Sequence, residues 1–153
     1  MPTVRKSVIV DRPAHAMFAL VEDVESYPRF LPWCASTSVF DRTPEVTLAR
    51  LDIDYHGLRS HIATRNLKEP PGRMDLEFLE GPFERFKGHW RFVPLGEEGC
   101  RVEFALDYAF SSHAFEVALG PVFGHIVETL VDRFVERAQS VPRQAGRRED
   151  GAP

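Results

Sequence analysis

The sequence predicts an α+β fold in which a long C-terminal helix covers a curved antiparallel sheet. Three observations predict it. Apolar residues alternate with a period of two in most segments between residues 35 and 110. Short turns separate these segments, which implies antiparallel pairing. Apolar residues then recur at helical spacing from His113 to about Val141, and such a helix needs an apolar surface to cover.

The first elements are predicted to be one strand and two short helices. Thr3–Asp11 is rich in β-branched residues, which is typical of a strand. Pro13 suits the first turn of a helix, and apolar residues continue the helical pattern over Ala14–Glu22. The proline-rich segment Tyr27–Trp33 predicts a second short helix or turn.

Six further strands are expected, separated by turns rich in glycine and proline. The alternation is clearest where Ala49, Leu51 and Ile53 share one face. Ser111 or Ser112 is a fitting N-cap for the long helix, and a kink is expected near Gly120-Pro121. The six predicted strands are Ser38–Arg42, Val46–Tyr55, Leu58–Leu67, Arg73–Leu79, Phe83–Pro94 and Cys100–Phe110.

The length of 153 residues predicts one domain over residues 1–141, followed by a disordered polar tail over residues 142–153. The net charge of −4 provides no global positive field, so DNA is not an expected partner. No secretory signal and no segment long enough to span a bilayer are expected, which favours a cytoplasmic location. Cys34 and Cys100 lack metal-ligand spacing and are interpreted as free, buried thiols.

The predicted inner faces are strongly aromatic. They carry Phe78, Phe86, Trp90, Phe92, Phe104, Tyr108, Phe110, Phe115 and Phe123. Such a set is typical of a filled core. Large rings on a curved sheet are also consistent with an elongated apolar cavity beneath the helix, and periodicity alone leaves both interpretations open.

Several motifs in fixed order resemble the coenzyme Q-binding START-like family. That family also contains the bacterial ribosome-association toxin, and it is often labelled polyketide cyclase/dehydrase or oligoketide cyclase/lipid transport protein. The resemblance extends from about Val4 to Ala138, and it implies a helix-grip (START/Bet v 1-like) fold with about seven strands. The motifs are Tyr27–Cys34, Gly81–Phe83, Trp90–Phe92 and Leu130–Phe134.

The resemblance implies a hydrophobic ligand between the sheet and the C-terminal helix. Ubiquinone or another isoprenoid lipid fits, bound without catalysis in support of respiration and with no cofactor required. Five predicted lining residues belong to the motifs, and the helix residues follow from periodicity. The predicted set is Phe30, Leu31, Trp33, Phe83, Phe86, Trp90, Phe123, Val127 and Leu130.

A polyketide cyclase or aromatase is a less favoured alternative, because it needs acid–base groups inside the pocket. His61 and His89 are out of phase with the apolar residues and are expected to face solvent. His125, Glu128 and Asp132 are spaced to be neighbours on the helix surface. No nucleophile elbow, phosphate loop or HExxH motif is present. A non-enzymatic role is therefore favoured.

A second alternative is a ribosome-binding inhibitor of subunit association, similar to the related toxin and directed at the 50S subunit. It would need a local basic patch, since the net charge is negative. Two stripes are candidates, and they would merge if their strands were neighbours. The same patch would suit anionic lipid headgroups and peripheral contact at the inner membrane. The stripes comprise Arg59 and Arg65 on one strand and Arg85, Lys87 and Arg91 on another.

Overall fold

A computed structural model describes residues 3–141. The prediction for the tail, residues 142–153, lies outside the described residues. Within the described residues, the chain forms seven strands, two α-helices and one 3-10 helix. In chain order these are β1 Thr3–Val10, α1 Ala14–Glu22, the 3-10 helix Val24–Arg29, β2 Cys34–Arg42, β3 Val46–Tyr55, β4 Leu58–Glu69, β5 Arg73–Glu80, β6 Phe83–Leu95, β7 Gly99–Phe110 and α2 His113–Ser140.

All seven strands join one antiparallel sheet in the order β1-β7-β6-β5-β4-β3-β2. The predicted helix-grip architecture is confirmed, with α2 packed against the concave face. Gly81, in the turn between β5 and β6, has a φ of +149°, and a Cβ there would lie 3.0 Å from the carbonyl oxygen of His61. Only glycine fits that position without strain.

Some boundaries differ from the prediction. Strand β2 begins at Cys34, four residues before the predicted Ser38, because register shifts at Cys34/Ser36 and Val39/Asp41 interrupt the period of two. The 3-10 helix ends at Arg29, so Phe30–Trp33 lies outside it. Pro13 is the N-cap of α1, with extended backbone angles, and not a residue of its first turn.

Helix α2 supplies the apolar lid of the domain. Ser112 caps it as predicted, since its Oγ accepts a hydrogen bond from the Phe115 N–H at 3.0 Å. The helix is continuous through Pro121. Its first turns are exposed, whereas Val127, Val131 and Phe134 are buried. By length and composition alone, α2 is long and apolar enough to cross a bilayer, which was not anticipated from the sequence. Its buried face packs in the core of the domain.

Candidate functional site

A cavity of about 100 Å³ lies between the concave sheet and α2, and we call it the inner cavity. Strands β3 to β7, the α1 segment and α2 all contribute to its wall. The wall is mainly apolar, with Thr64 and Asn66 as its polar exceptions besides Tyr27 and the two tryptophans. The lining residues are Val21, Val24, Tyr27, Trp33, Ala49, Leu51, Ile53, Ile62, Thr64, Asn66, Met74, Leu76, Trp90, Phe104, Leu106, Phe123, Ile126, Val127 and Leu130.

A smaller space of about 20 Å³ adjoins the inner cavity, and we call it the mouth. The two share four lining residues, and we call the boundary that these residues form the passage: Ile53, Ile62, Phe123 and Ile126. The other mouth residues are Leu58, Ser60, Pro82, Phe83, Phe110, Leu119 and Val122. Leu58 is 36% exposed, so the mouth lies at the surface near the β3–β4 turn.

From Ile62 inward, polarity increases along β4. Its inward-facing residues run from Ile62 at the mouth through Thr64 and Asn66 to Lys68. At 3.3 Å per residue, Ile62 and Asn66 are about 13 Å apart along the strand. The Thr64 hydroxyl donates to Asn66 Oδ1 at 2.7 Å. The inner cavity is therefore apolar at its entrance and polar along its far wall.

Beyond Asn66 the sheet is joined to α1 by a buried polar cluster. The ammonium group of Lys68 binds the carboxylate of Glu22, and its side chain is only 4% exposed. The Thr47 hydroxyl donates to the same carboxylate at 3.1 Å, and Arg42 Nε lies 3.4 Å from it. The paired charges are thus placed outside the cavity wall.

Trp33 lines the inner cavity, and its indole nitrogen is a buried, unsatisfied donor. Its side chain is almost fully buried, and its indole Nε1–H has no acceptor within the part of the chain that the structure describes. The Asp54 N–H donates to the Trp33 carbonyl at 3.0 Å, and the Cys34 N–H donates to that of Leu31 at 3.0 Å. These backbone bonds fix the indole at the start of β2. A buried unpaired donor is unusual in a folded protein.

Tyr27 is the titratable phenol of the inner wall. Burial raises its pKa far above the ordinary value, and its hydroxyl donates to the Val21 carbonyl. It is therefore neutral and already engaged. No histidine, carboxylate, lysine or arginine among residues 3–141 lines the inner cavity. The arrangement can hold an apolar molecule and offer hydrogen bonds, but it presents no obvious proton acceptor.

The structure places six of the nine predicted lining residues around the inner cavity or the mouth. Trp33, Trp90, Phe123, Val127 and Leu130 line the inner cavity, and Phe83 lines the mouth.

The other three predicted lining residues lie elsewhere. Phe30 packs against Tyr27 and Phe134 at centroid distances of 6.0 and 5.2 Å, because the chain leaves the 3-10 helix toward the C-terminal half of α2. Leu31 is part of the filled core, and Phe86 packs beside Phe83 at 5.2 Å.

Sequence reasoning missed Thr64 and Asn66. The signal was present, because both share the phase of Ile62 in β4 and hence its inward face. They were not predicted because the predicted lining set was restricted to apolar and aromatic residues.

The predicted basic patch is divided. Strand β5 lies between β4 and β6, so the condition under which the two stripes would merge is not met. Most of their residues are also paired with carboxylates: Arg59 with Asp54 at 3.4 Å, Arg65 with Glu77 at 2.6 Å, Arg85 with Asp107 at 3.0 Å and Arg91 with Glu103 at 3.9 Å. The hydrogen bond from Arg85 lowers the pKa of Asp107. Lys87 has no ion pair within residues 3–141.

The helix-surface trio does not form a cluster. The His125 ring stacks on Tyr55 with centroids 5.6 Å apart, and Glu128 pairs with Lys6 at 3.1 Å. No group of residues suited to a metal ion occurs within residues 3–141. His61 and His89 lie on the outer face of the sheet; burial and the nearby Arg73 lower the pKa of His89.

Comparison with known proteins gives the family. Residues 10–135 match the family model described as polyketide cyclase / dehydrase and lipid transport. The chain belongs to this family. Within it, the chain is 36% identical over 141 residues to the ribosome association toxin RatA of Escherichia coli K12, covering 92% of this chain and 89% of that protein. It is 24% identical to the mitochondrial coenzyme Q-binding protein coq10 of Schizosaccharomyces pombe, covering 80% and 78%.

Solved structures of similar proteins share the fold of this family member. The protein TTHA0849 from Thermus thermophilus has a TM-score of 0.76 at 26% identity, covering 91% of this chain and 98% of that one. The Zhui aromatase/cyclase from Streptomyces sp. R1128 has a TM-score of 0.77 at 18% identity, covering 95% and 98%. At that identity the likeness extends to the fold alone.

Proposed function

We propose that the protein binds a hydrophobic ligand, ubiquinone or a related isoprenoid lipid, in the inner cavity and acts as a carrier. The observation that supports this most directly is the apolar cavity itself, whose lining side chains are mainly aliphatic and aromatic. A quinone ring offers oxygen acceptors and an isoprenoid tail offers apolar surface. The similarity to a protein named as coenzyme Q-binding is consistent with this ligand class.

The cavity volume limits how such a ligand would sit. An apolar cavity of ~150 Å³ holds benzene in another protein, so about 100 Å³ matches a ring-sized group at most. A long tail must therefore pass Phe123 and leave through the mouth. Each buried CH₂ group of that tail would contribute about 0.8 kcal/mol.

The chemistry of the wall supports binding over catalysis. Ring closure or dehydration needs a positioned acid or base, and Tyr27, which is neutral and hydrogen-bonded, is the closest approach to one. The shared fold with an aromatase/cyclase carries no further weight at 18% identity. We therefore propose that the protein acts as a carrier in respiration and not as an enzyme.

Tryptophan fluorescence provides a direct test. The chain has two tryptophans, Trp33 and Trp90, and both line the inner cavity. A quinone in the cavity should quench both, and the quenching should saturate as quinone is added. The variant Ala49→Leu fills the cavity and should abolish quenching, whereas the matched Ala105→Leu on β7 lies outside the cavity wall and should not. Mass spectrometry of solvent extracts should identify co-purified quinone; absence of both signals would reject the proposal.

A second candidate function is ribosome binding that hinders subunit joining. Its supporting observation is the 36% identity to RatA across 92% of this chain. Ion pairs of all four arginines of the predicted patch weaken a purely electrostatic route and leave Lys87 as the one residue of that patch without an ion pair among residues 3–141. Added protein should lower the 70S fraction in sedimentation profiles. If it does, Lys87→Glu and Ala49→Leu separate an outer-face contact from one that needs the cavity; unchanged 70S levels would remove this candidate.

Peripheral contact with a membrane, from the cytoplasmic side of the inner membrane, would suit a quinone carrier. Phe115 and Val117 are 45% and 64% exposed in the first turns of α2, next along the helix to the mouth residue Leu119. In a flotation experiment, the wild type should float with anionic vesicles, whereas the double variant Phe115→Ser/Val117→Ser should remain at the bottom of the gradient. Equal flotation of both would argue against this contact.

A further inference from the structure

A groove of about 660 Å³ lies on the outer face of the sheet, and we call it the outer groove. Strand pairing aligns one row of its outer-face residues: Arg5 on β1, Ala105 on β7, His89 on β6 and Asp75 on β5. Lys87 lies two residues from His89 on β6 and also lines the groove. Because the Ala105 side chain is small, the row is open between Arg5 and His89.

The cations of the outer groove include two that are uncompensated. Arg5 and Lys87 are exposed, and neither has an ion pair within residues 3–141. The carboxylates that line the groove are each engaged by an arginine: Asp75 by Arg73 at 2.9 Å, Glu77 by Arg65 at 2.6 Å and Asp107 by Arg85 at 3.0 Å. Positive charge is therefore in excess here, although the chain as a whole carries a net charge of −4.

The pKa of His89 reflects the same surroundings. Burial lowers it, and the cations that lower it further outweigh the one carboxylate that opposes them: Arg73, Arg91 and Arg5 against Asp75. The side chain of His89 has no hydrogen-bond partner within residues 3–141. An anion beside this ring would be attracted by the neighbouring cations and could accept a hydrogen bond from the imidazole N–H.

We propose that the outer groove binds the phosphodiester backbone of RNA, with Arg5 and Lys87 contacting phosphates and His89 donating a hydrogen bond to one of them. The site is separate from the inner cavity and does not depend on the carrier function. It deepens the second candidate function, ribosome binding, on which it rests for the source of the RNA.

The spacing of the three side chains favours a chain of phosphates over a single anion. Arg5 and His89 are two strands apart, about 10 Å, and Lys87 is about 7 Å from His89 along β6. A positively charged groove of this kind follows the backbone of a single strand and reads no base sequence. A bilayer is less well matched, because the exposed apolar residues Phe115 and Val117 belong to α2, on the opposite face of the sheet.

The test measures binding of a short fluorescent oligouridine to the full chain by anisotropy, over a series of salt concentrations. The groove variant is Arg5→Gln/Lys87→Gln. Its matched control is Lys6→Gln/Arg59→Gln, which removes the same charge from residues that do not line the outer groove. Thermal melts check that both double variants are folded. Sedimentation profiles of ribosomes with the same proteins are measured in parallel.

For single strands, each phosphate contact contributes about 0.7 to the slope of log K against log salt concentration. The groove variant should therefore lower the magnitude of the slope by about 1.4 and weaken binding by roughly 10- to 30-fold at about 0.1 M salt. The control should leave the slope unchanged. In the wild type, RNA should shift the ring resonances of His89 but not those of the exposed His15 on α1.

Equal weakening by both double variants would mean that net charge and not the outer groove governs binding, and the inference would be wrong. It would also be wrong if RNA bound all three proteins alike while the groove variant alone failed to float with anionic vesicles, because lipid headgroups would then be the ligand. Selective weakening of RNA binding with an unchanged 70S fraction supports the groove and removes the ribosome-binding candidate. A lowered 70S fraction without oligouridine binding removes the inference and keeps that candidate.

Discussion

The ring of Phe123 on α2 lies 5.0 Å, centroid to centroid, from the ring of Phe83 on β6. Phe123 lines both the mouth and the inner cavity, whereas Phe83 lines the mouth alone. The pair therefore lies where the two spaces adjoin. Under the proposed function a ligand would pass this pair, so the rate of its uptake should depend on the size of the Phe123 side chain.

Phe123→Leu should widen the passage and speed ligand uptake. The smaller side chain leaves space between Phe83 and Ile126, so quinone association measured by stopped-flow tryptophan quenching should be faster than in the wild type. Stability should fall by roughly 0.5–3 kcal/mol, the usual range for a core substitution.

Phe92→Leu is the matched control for this prediction. Phe92 is 1% exposed and lines neither the mouth nor the inner cavity. It should cost similar stability without changing the association rate. Equal acceleration by both variants would mean that general loosening, and not the passage, controls uptake.

Trp90→Ala should destabilise the fold and weaken ligand binding together. Trp90 is 3% exposed and packs against Phe104 and Phe134 at centroid distances of 4.7 and 5.3 Å. Loss of a buried tryptophan costs about 3–5 kcal/mol. Urea unfolding should show this as a lower midpoint; a midpoint equal to that of the wild type would contradict the burial of Trp90.

Periodicity was sufficient to predict the fold, because a strand with one buried face has alternating apolar and polar residues. It failed at β2, where two register shifts break that alternation, and so the strand appeared to begin at Ser38 and not Cys34. Consecutive strands from β2 to β7 are neighbours in the sheet, so β5 lies between β4 and β6. Had this order been assumed from the sequence, the two basic stripes would have been predicted to be separate.

The cavity was harder to predict, because an aromatic inner face is equally consistent with filled packing. Trp33 and Trp90 were found through motif and phase. Phe30 was placed in the wall by its motif, but the path after the 3-10 helix turns its ring toward Phe134. Thr64 was not predicted, because the sequence does not show that a cavity lies beside this polar residue on the inner face of β4.

Both cysteines should be unreactive in the folded protein. Burial raises the pKa of Cys34 to about 12 and also raises that of Cys100. At pH 8 a thiol with a pKa of about 12 is thiolate in roughly one molecule in 10⁴, and the thiolate is the nucleophile. Ellman's reagent at pH 8 should therefore label neither thiol in native buffer and both in denaturant.

The raised pKa values of the two thiols also predict that the stability of the fold decreases at alkaline pH. A thiol whose pKa is raised by folding stabilises the native state fully below the unfolded pKa near 9, and that contribution is lost as the pH rises toward the folded value. Urea midpoints should decrease above about pH 9, and Cys34→Ser should flatten that decrease. Rapid labelling of Cys34 in the native state would contradict its burial.

The ion pair between Glu22 and Lys68 predicts an asymmetry between single and double substitution. Lys68→Met leaves the Glu22 carboxylate, which is 20% exposed, with Thr47 and Arg42 as its remaining partners. Breaking a buried pair costs about 3–5 kcal/mol, and the residual contact with Arg42 favours the low end. Glu22→Leu combined with Lys68→Met removes both charges and should recover most of that loss, since an apolar replacement of a buried pair is often neutral. Equilibrium unfolding of the two single variants and the double variant measures this coupling. Additive losses would mean that the two side chains stabilise the fold independently, through packing of α1 on the sheet.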